Sequence, residues 1–83
     1  MKTIRVDVTT ADIRLGVPGS EDECAVQIAV ERATNERTVS VAAGLICVGR
    51  HAIPMPRKVK KFVGDFDEHK PVAPFSFTLK MPT

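Results

Sequence analysis

The chain contains no tryptophan and no tyrosine, and its only aromatic residues are four phenylalanines. Proteins that bind single-stranded nucleic acid on an open sheet stack the bases on exposed aromatic side chains. All four phenylalanines fall on stripes that are predicted to face the core, so this mode of binding is disfavoured. Contacts to a nucleic-acid backbone stay open as a minor alternative.

Long apolar runs are also missing. No window approaches the roughly 20 apolar residues that a membrane-spanning helix needs. The start of the chain, residues 1–4, leads into alternating polar residues rather than into the apolar core of a signal peptide. We therefore expect a cytoplasmic protein without a membrane partner.

Cysteine is scarce: Cys24 and Cys47 both lie in apolar runs, where reduced, buried thiols are expected. Together with His51 and His69 they lack the close spacing of a zinc site, so neither a metal nor a cofactor is predicted. Cys24 with either histidine is the only candidate pair of nucleophile and base. Three acidic residues at 21–23 oppose formation of a thiolate there, and we expect no enzyme.

The balance of charge is mild. Twelve basic and ten acidic residues give a net charge of +2, and the sequence pI is 8.7. Domains that bind phosphate backbones broadly show clustered basic residues and a pI above about 9, so the charge of this chain does not indicate such binding.

With 83 residues, 43% of them hydrophobic, the chain is predicted to form one domain over 1–83.

Periodicity predicts the elements of the first half. Residues 2–9 alternate as a half-buried strand does, and residues 10–19 form an expected loop because glycines and a proline interrupt them. Ser20 and Glu23 have the spacing of a capping box. A helix is therefore expected over residues 21–33.

A hairpin is predicted next, from two β-rich runs at 38–42 and 45–49 that residues 43–44 separate. The second run is apolar on both faces. Such a strand is either central in its sheet or covered by a second copy of the chain, which would place Ile46 and Val48 in an interface. We expect a homodimer on this ground.

The remaining third of the chain is predicted to hold a helix and a last strand. Pro54 and Pro56 are expected to stop the preceding strand, and a helical stripe of apolar residues runs through 57–68. Residues 75–81 alternate again. The predicted order β-α-β-β-α-β favours an α+β, ferredoxin-like sandwich, a four-stranded antiparallel sheet with two helices on one face.

Three segments carry a resemblance to a known group of proteins: the helix beginning Cys24–Ala29, the stretch Pro56–Asp67, and Pro74–Phe77. They resemble a family of small uncharacterised proteins encoded by bacteriophages and phage-like metagenomic sequences. Ala25 stands where a proline often follows the cysteine in that family. The resemblance implies a fold and a phage context rather than a chemistry, and a location in the host cell cytosol.

Charge along the second predicted helix is reversed relative to its dipole. Cations crowd its first turns, while Asp65, Asp67 and Glu68 crowd its end, and neither placement favours the helix. One interpretation is a solvated face with ion pairs such as Lys61 with Asp65. The other is an anion site formed by the cations together with two residues of the preceding segment. The candidate site residues are Arg50, His51, Arg57, Lys58, Lys60 and Lys61.

These observations lead to one favoured function and two alternatives. The favoured function is a non-enzymatic phage-type binding protein that captures an anionic small molecule, such as a host nucleotide immune signal, as a counter-defence. The first alternative is an inhibitor that binds an acidic surface of a host defence or transcription complex. The second is binding to a nucleic-acid backbone.

Overall fold

A computed structural model describes residues 2–18, 23–42 and 44–81 of the chain. In this part the chain is α+β, with five strands and three helices. In chain order they are β1 (Lys2–Val8), α1 (Thr10–Leu15), α2 (Ala25–Thr34), β2 (Val39–Ala42), β3 (Leu45–Val48), β4 (His51–Pro54), α3 (Arg57–Asp67) and β5 (Phe75–Met81).

The strands form two antiparallel sheets. β1 pairs with β5 along its whole length, from Lys2 opposite Met81 to Val8 opposite Phe75. The other sheet has the order β2-β3-β4. Helix α2 packs against β1 and β2, one strand of each sheet, and α1 packs on α2. The prediction of an α+β fold is thus confirmed, but that of a single four-stranded sheet is wrong.

Pro54 gives a physical reason for the separation of the sheets. β3 and β4 are joined by a two-residue turn, so Val48 and His51 form the hydrogen-bonded pair beside the turn, and the pairs alternate from there. The outward backbone groups of β4 therefore belong to Ala52 and Pro54. Because proline has no N–H, Pro54 cannot donate a ladder hydrogen bond towards β5, which suits β4 to the edge of its sheet.

The predicted hairpin is present as β2 and β3, whereas β4 is absent from the sequence prediction. Gly44, on the turn side of β3, has a φ of 75°, and Gly49, before β4, has a φ of 59°. Glycine adopts such angles without steric cost, and a glycine first in a two-residue turn is typical of a hairpin. Gly49 with Arg50 was the available signal for β4.

Helix α1 occupies a segment that was predicted to be a loop. Thr9 and Asp12 form a capping box, in which the Asp12 N–H donates to the Thr9 hydroxyl (3.2 Å) and the Thr9 N–H donates to the Asp12 carboxylate (2.9 Å). Arg32 of α2 then donates to both carboxylate oxygens of Asp12, each at 2.7 Å. The helix ends at Gly16, which is extended and whose N–H donates a hydrogen bond to the Asp12 carbonyl oxygen.

Helix α2 begins at Ala25, four residues after its predicted start at position 21. Its N-cap is Cys24, whose Sγ accepts a hydrogen bond from the Gln27 N–H at 3.3 Å. The predicted cap Ser20 lies outside the described residues. At the other end, Asn35 adopts the left-handed conformation that commonly terminates a helix.

The core lies between α2, α3 and the inner faces of both sheets. Phe62, Phe66 and Phe77 are buried and Phe75 is half-buried, with the rings of Phe62 and Phe75 4.8 Å apart. Ile46 is 0% exposed within the single chain. Val48 is also buried in the single chain, so these two side chains need no second copy to cover them. The homodimer stays a prediction, but burial of Ile46 and Val48 no longer supports it.

Candidate functional site

A groove of about 960 Å³ runs between β4 and β5, where the two sheets meet without joining. This volume is at the upper end of the range for sites that bind small molecules. Ile53, Met55, Phe77 and Leu79 are its buried apolar residues. The other lining residues are Arg5, Ala52, Pro54, Pro56, Lys58, Ser76, Thr78 and Lys80. We call this site the edge groove.

Two unpaired strand edges border the edge groove. In the described ranges no backbone hydrogen bond joins β4 to β5. The Ser76 carbonyl accepts a hydrogen bond from Lys58 and therefore points away from β1. Since outward groups alternate along a strand, the N–H and C=O groups of Thr78 and Lys80 also face the groove.

Within the described ranges, the charged side chains that line the edge groove are all basic: Arg5 on β1, Lys58 on α3 and Lys80 on β5. Arg5 and Lys80 share the exposed face of the β1–β5 sheet, because Arg5 is paired with Thr78 two residues before Lys80. Among the residues that the structure describes, no aspartate or glutamate lines the groove. The groove therefore presents positive charge above an apolar floor.

Lys58 is fixed by the strand edge itself. Its Nζ donates a hydrogen bond to the Ser76 carbonyl oxygen at 2.8 Å. Lys58 lies in the first turn of α3, whose N-cap Pro56 has no side-chain capping bond, and that turn contains no acidic residue. The ammonium group and the helix dipole thus add positive potential at the same end of the groove.

Asp7 lies beside the groove and holds Arg5 in place. The Arg5 Nε donates to the Asp7 carboxylate at 3.0 Å, and the Ser76 hydroxyl donates to the same oxygen. These bonds, that from Ser76 foremost and that from Arg5 next, lower the pKa of Asp7 below its usual value. An ionised Asp7 orients Arg5 and cancels part of its charge.

The residues that the sequence assigned to one site are divided in space. Arg50 and His51 are exposed at the turn between β3 and β4, which is the end of β4 opposite Pro54. α3 follows Pro54, so its start lies at the other end of this strand, about 10 Å along it. The structure therefore does not bring Arg50 and His51 to the start of the helix.

The four cations of α3 are exposed, and they differ in direction. Only Lys58 lines the edge groove. Lys61 pairs with Asp65 at 3.3 Å, the ion pair expected of a solvated face. Lys60 extends towards the β2–β3 turn, since its Cε lies 3.8 Å from where a Cβ on Gly44 would be. Arg57 is exposed at the helix start.

Sequence reasoning missed Arg5 and Lys80. The alternation of polar and apolar residues in the first and last predicted strands places Arg5 and Lys80 on the polar face of each strand. The missing information was the pairing of β1 with β5, which puts the two side chains on one face, and the open edge of β5 next to them. Neither follows from a local pattern.

Nucleophilic and metal chemistry find no support in the described residues. Both cysteines are free thiols, Cys24 buried and Cys47 half-buried. Burial raises the pKa of the Cys24 thiol, the reverse of the activation that a nucleophile needs. In the part of the chain that the structure describes, no three metal-ligating side chains converge.

No family model, no curated protein and no solved structure matches this chain. Among the helices of the described ranges, none has the length and apolar character needed to cross a membrane.

Proposed function

We propose that this chain is a non-enzymatic binding protein that captures an anionic ligand in the edge groove. The observation that carries the proposal is the charge of the described lining residues: the charged ones are Arg5, Lys58 and Lys80, and the carboxylate of Asp7 beside the groove offsets part of the charge of Arg5 alone. An apolar floor next to cations suits a ligand that has both an apolar part and a negative charge.

The cations outside the groove act at longer range. Arg57 is exposed at the start of the helix that borders the groove and adds positive potential near its entrance, whereas Lys60 and Lys61 are directed towards the β2–β3 turn and Asp65 and add less. Screening limits such effects to about 8–10 Å at physiological ionic strength. Arg50 and His51, at the far end of β4, contribute least to this site.

The identity of the anion is part of the proposal. The resemblance to small phage proteins favours a host nucleotide immune signal, captured in the host cytosol as a counter-defence. The volume of the edge groove, about 960 Å³, is sufficient for a nucleotide. Lys58 is the residue of the predicted cluster that would contact its phosphate.

One observation favours a second candidate, an inhibitor that binds an acidic segment of a host protein. The open edge of β5 presents backbone donors and acceptors that a nucleotide would leave unused. Protein segments satisfy such groups by adding a strand.

The proposal also includes a homodimer of this chain. Sedimentation at micromolar concentration tests it, and a monomer there would contradict it.

A pair of charge reversals tests whether the edge groove binds anions. Lys58→Glu and Lys61→Glu alter the net charge equally on the same helix, but only Lys58 lines the groove. With fluorescently labelled ATP and a glutamate-rich peptide as probes at low salt, we expect Lys58→Glu to weaken binding at least about tenfold. Lys61→Glu should change it less than about threefold. If neither probe distinguishes the two variants, the proposed function is wrong.

A further inference from the structure

We infer that the edge groove takes an extended acidic segment of a partner protein, which adds as a third strand to the β1–β5 sheet along the free edge of β5. The inference rests on the second candidate of the proposed function, the binding of an acidic protein segment, and specifies where and how that segment binds. Strand addition uses backbone hydrogen bonds for affinity and pockets for alternate side chains for specificity.

The backbone of β5 is available for this pairing. β5 is seven residues long and pairs with β1 on one side alone in the described part of the chain. Thr78 and Lys80 present N–H and C=O groups to the groove, about 7 Å apart along the strand. Natural proteins usually cover or shorten such an edge, because it can pair with another chain.

Neither flank of the groove can supply the missing strand. On the β4 side, Pro54 has no N–H to donate, and Ala52 offers the remaining outward N–H of that strand. At the start of β5, the Lys58 ammonium already occupies the Ser76 carbonyl. The free backbone groups of β5 therefore begin after Ser76, and the partner segment pairs with Thr78–Lys80.

The side chains define the pattern of the partner. A strand beside β5 turns alternate residues to the buried floor, where Ile53, Phe77 and Leu79 lie, and the others to the face that carries Arg5 and Lys80. Apolar residues suit the floor and acidic residues suit the other face. The fitting partner segment therefore alternates apolar with acidic residues over about five to seven positions.

A second copy of this chain fits the same edge poorly. Pairing of two β5 edges would bring Arg5, Lys58 and Lys80 of one copy towards the same three cations of the other. Like charges on adjacent strands are destabilising. Complementarity of charge therefore favours an acidic partner over self-association at this edge.

Peptides methylated on one edge test the inference. The probe is acetyl-Glu-Val-Glu-Val-Glu-Val-Glu-amide, and two isomers carry N-methyl groups either on the valines or on the inner glutamates. Successive N–H groups of a strand point to opposite edges. One isomer therefore lacks the N–H groups that would donate to β5, and the other keeps them. We expect one isomer to bind within about threefold of the parent peptide and the other at least about tenfold more weakly.

The outcomes separate the two proposals. If the two isomers bind alike, whether both bind or both fail, the peptide does not pair with β5 and the inference is wrong. Should labelled ATP still distinguish Lys58→Glu from Lys61→Glu in that case, the proposed function stands without it. Hydrogen exchange tests the same pairing on the protein. We expect the Thr78 and Lys80 amide protons to exchange more slowly when the parent peptide is added, and unchanged exchange would contradict the inference.

Discussion

Asp12 connects local structure to tertiary structure through a single carboxylate. It is 1% exposed, caps α1 and accepts two hydrogen bonds from Arg32. Those bonds are the main reason why the pKa of Asp12 lies below the usual 3.8, and they outweigh the opposing effect of burial. The charged form is therefore the one that stabilises the fold.

The first prediction concerns Asp12→Asn. We expect a loss of about 2–3 kcal/mol of unfolding free energy at pH 7, because a charged hydrogen-bonded pair is removed and Arg32, half exposed, is rehydrated only in part.

The pH dependence supplies the control for this variant. A carboxyl group with a lowered folded pKa binds fewer protons in the folded state, so its stabilisation is complete above about pH 5 and is lost as the pH falls through the folded pKa. The difference between parent and Asp12→Asn should therefore shrink below about pH 4. Chemical denaturation at several pH values measures it, and a difference that is constant with pH would contradict the assignment.

Phe62 is the second residue whose role can be tested directly. It is 7% exposed and its ring lies 5.8 Å from that of Phe66 and 4.8 Å from that of Phe75. Phe62→Ala should lower the unfolding free energy by about 3–5 kcal/mol, since the cavity forms where α3 meets β5. Val63→Ala, at the half-buried neighbouring position, should cost clearly less. Equal melting temperatures for the two variants would refute the assigned helix face.

At the scale of elements, two glycines make opposite predictions. A Cβ on Gly16 would lie 2.6 Å from the Ala25 backbone nitrogen and 2.9 Å from the Phe66 ring, whereas one on Gly64 meets nothing within 4 Å. Gly16→Ala should destabilise the protein because backbone must move, by about 1–3 kcal/mol. Gly64→Ala, inside α3, should stabilise it by about 0.5–1 kcal/mol. Thermal unfolding of both variants checks the pair, and shifts of the same sign would contradict it.

The elements that could be predicted from sequence are those with long, regular patterns. α3 begins at Arg57 and β1 covers residues 2–8, as their periods indicate. α1 was missed because six residues with a broken apolar pattern resemble a loop, and its stability depends on Arg32, twenty positions away. Thr9 and Asp12 were nevertheless a local capping signal.

At the scale of the whole molecule, the α+β class followed from the sequence and the sheet arrangement did not. Pairing of β1 with β5 joins the two ends of the described chain, and no local pattern specifies it. The same long-range pairing creates the edge groove, which explains why Lys58 was found in the sequence while Arg5 and Lys80 were missed. Arg50 and His51 were grouped with the helix start because β4, which separates them from it, had not been predicted.

The last prediction concerns the electrostatic part of binding in the edge groove. Lys80 lines the groove, whereas Lys70 pairs with Glu68 at 3.2 Å and with Asp65 at 4.0 Å. Exposed charges attract an anionic ligand less as salt shortens the screening length. Raising the ionic strength from about 0.05 to 0.3 M should therefore weaken binding of the acidic peptide to the parent protein by about fivefold or more.

Neutralising one lysine at a time identifies which charge is responsible. Lys80→Gln should bind the peptide more weakly than the parent at low salt and respond less steeply to added salt, because one of the three groove cations is gone. Lys70→Gln removes the same charge from another surface, so its salt response should equal that of the parent. Both variants should keep the parent's unfolding free energy within about 0.5 kcal/mol, since both sites are exposed. If the two variants respond to salt identically, the attraction comes from net charge alone, and the edge groove is not where the anion binds.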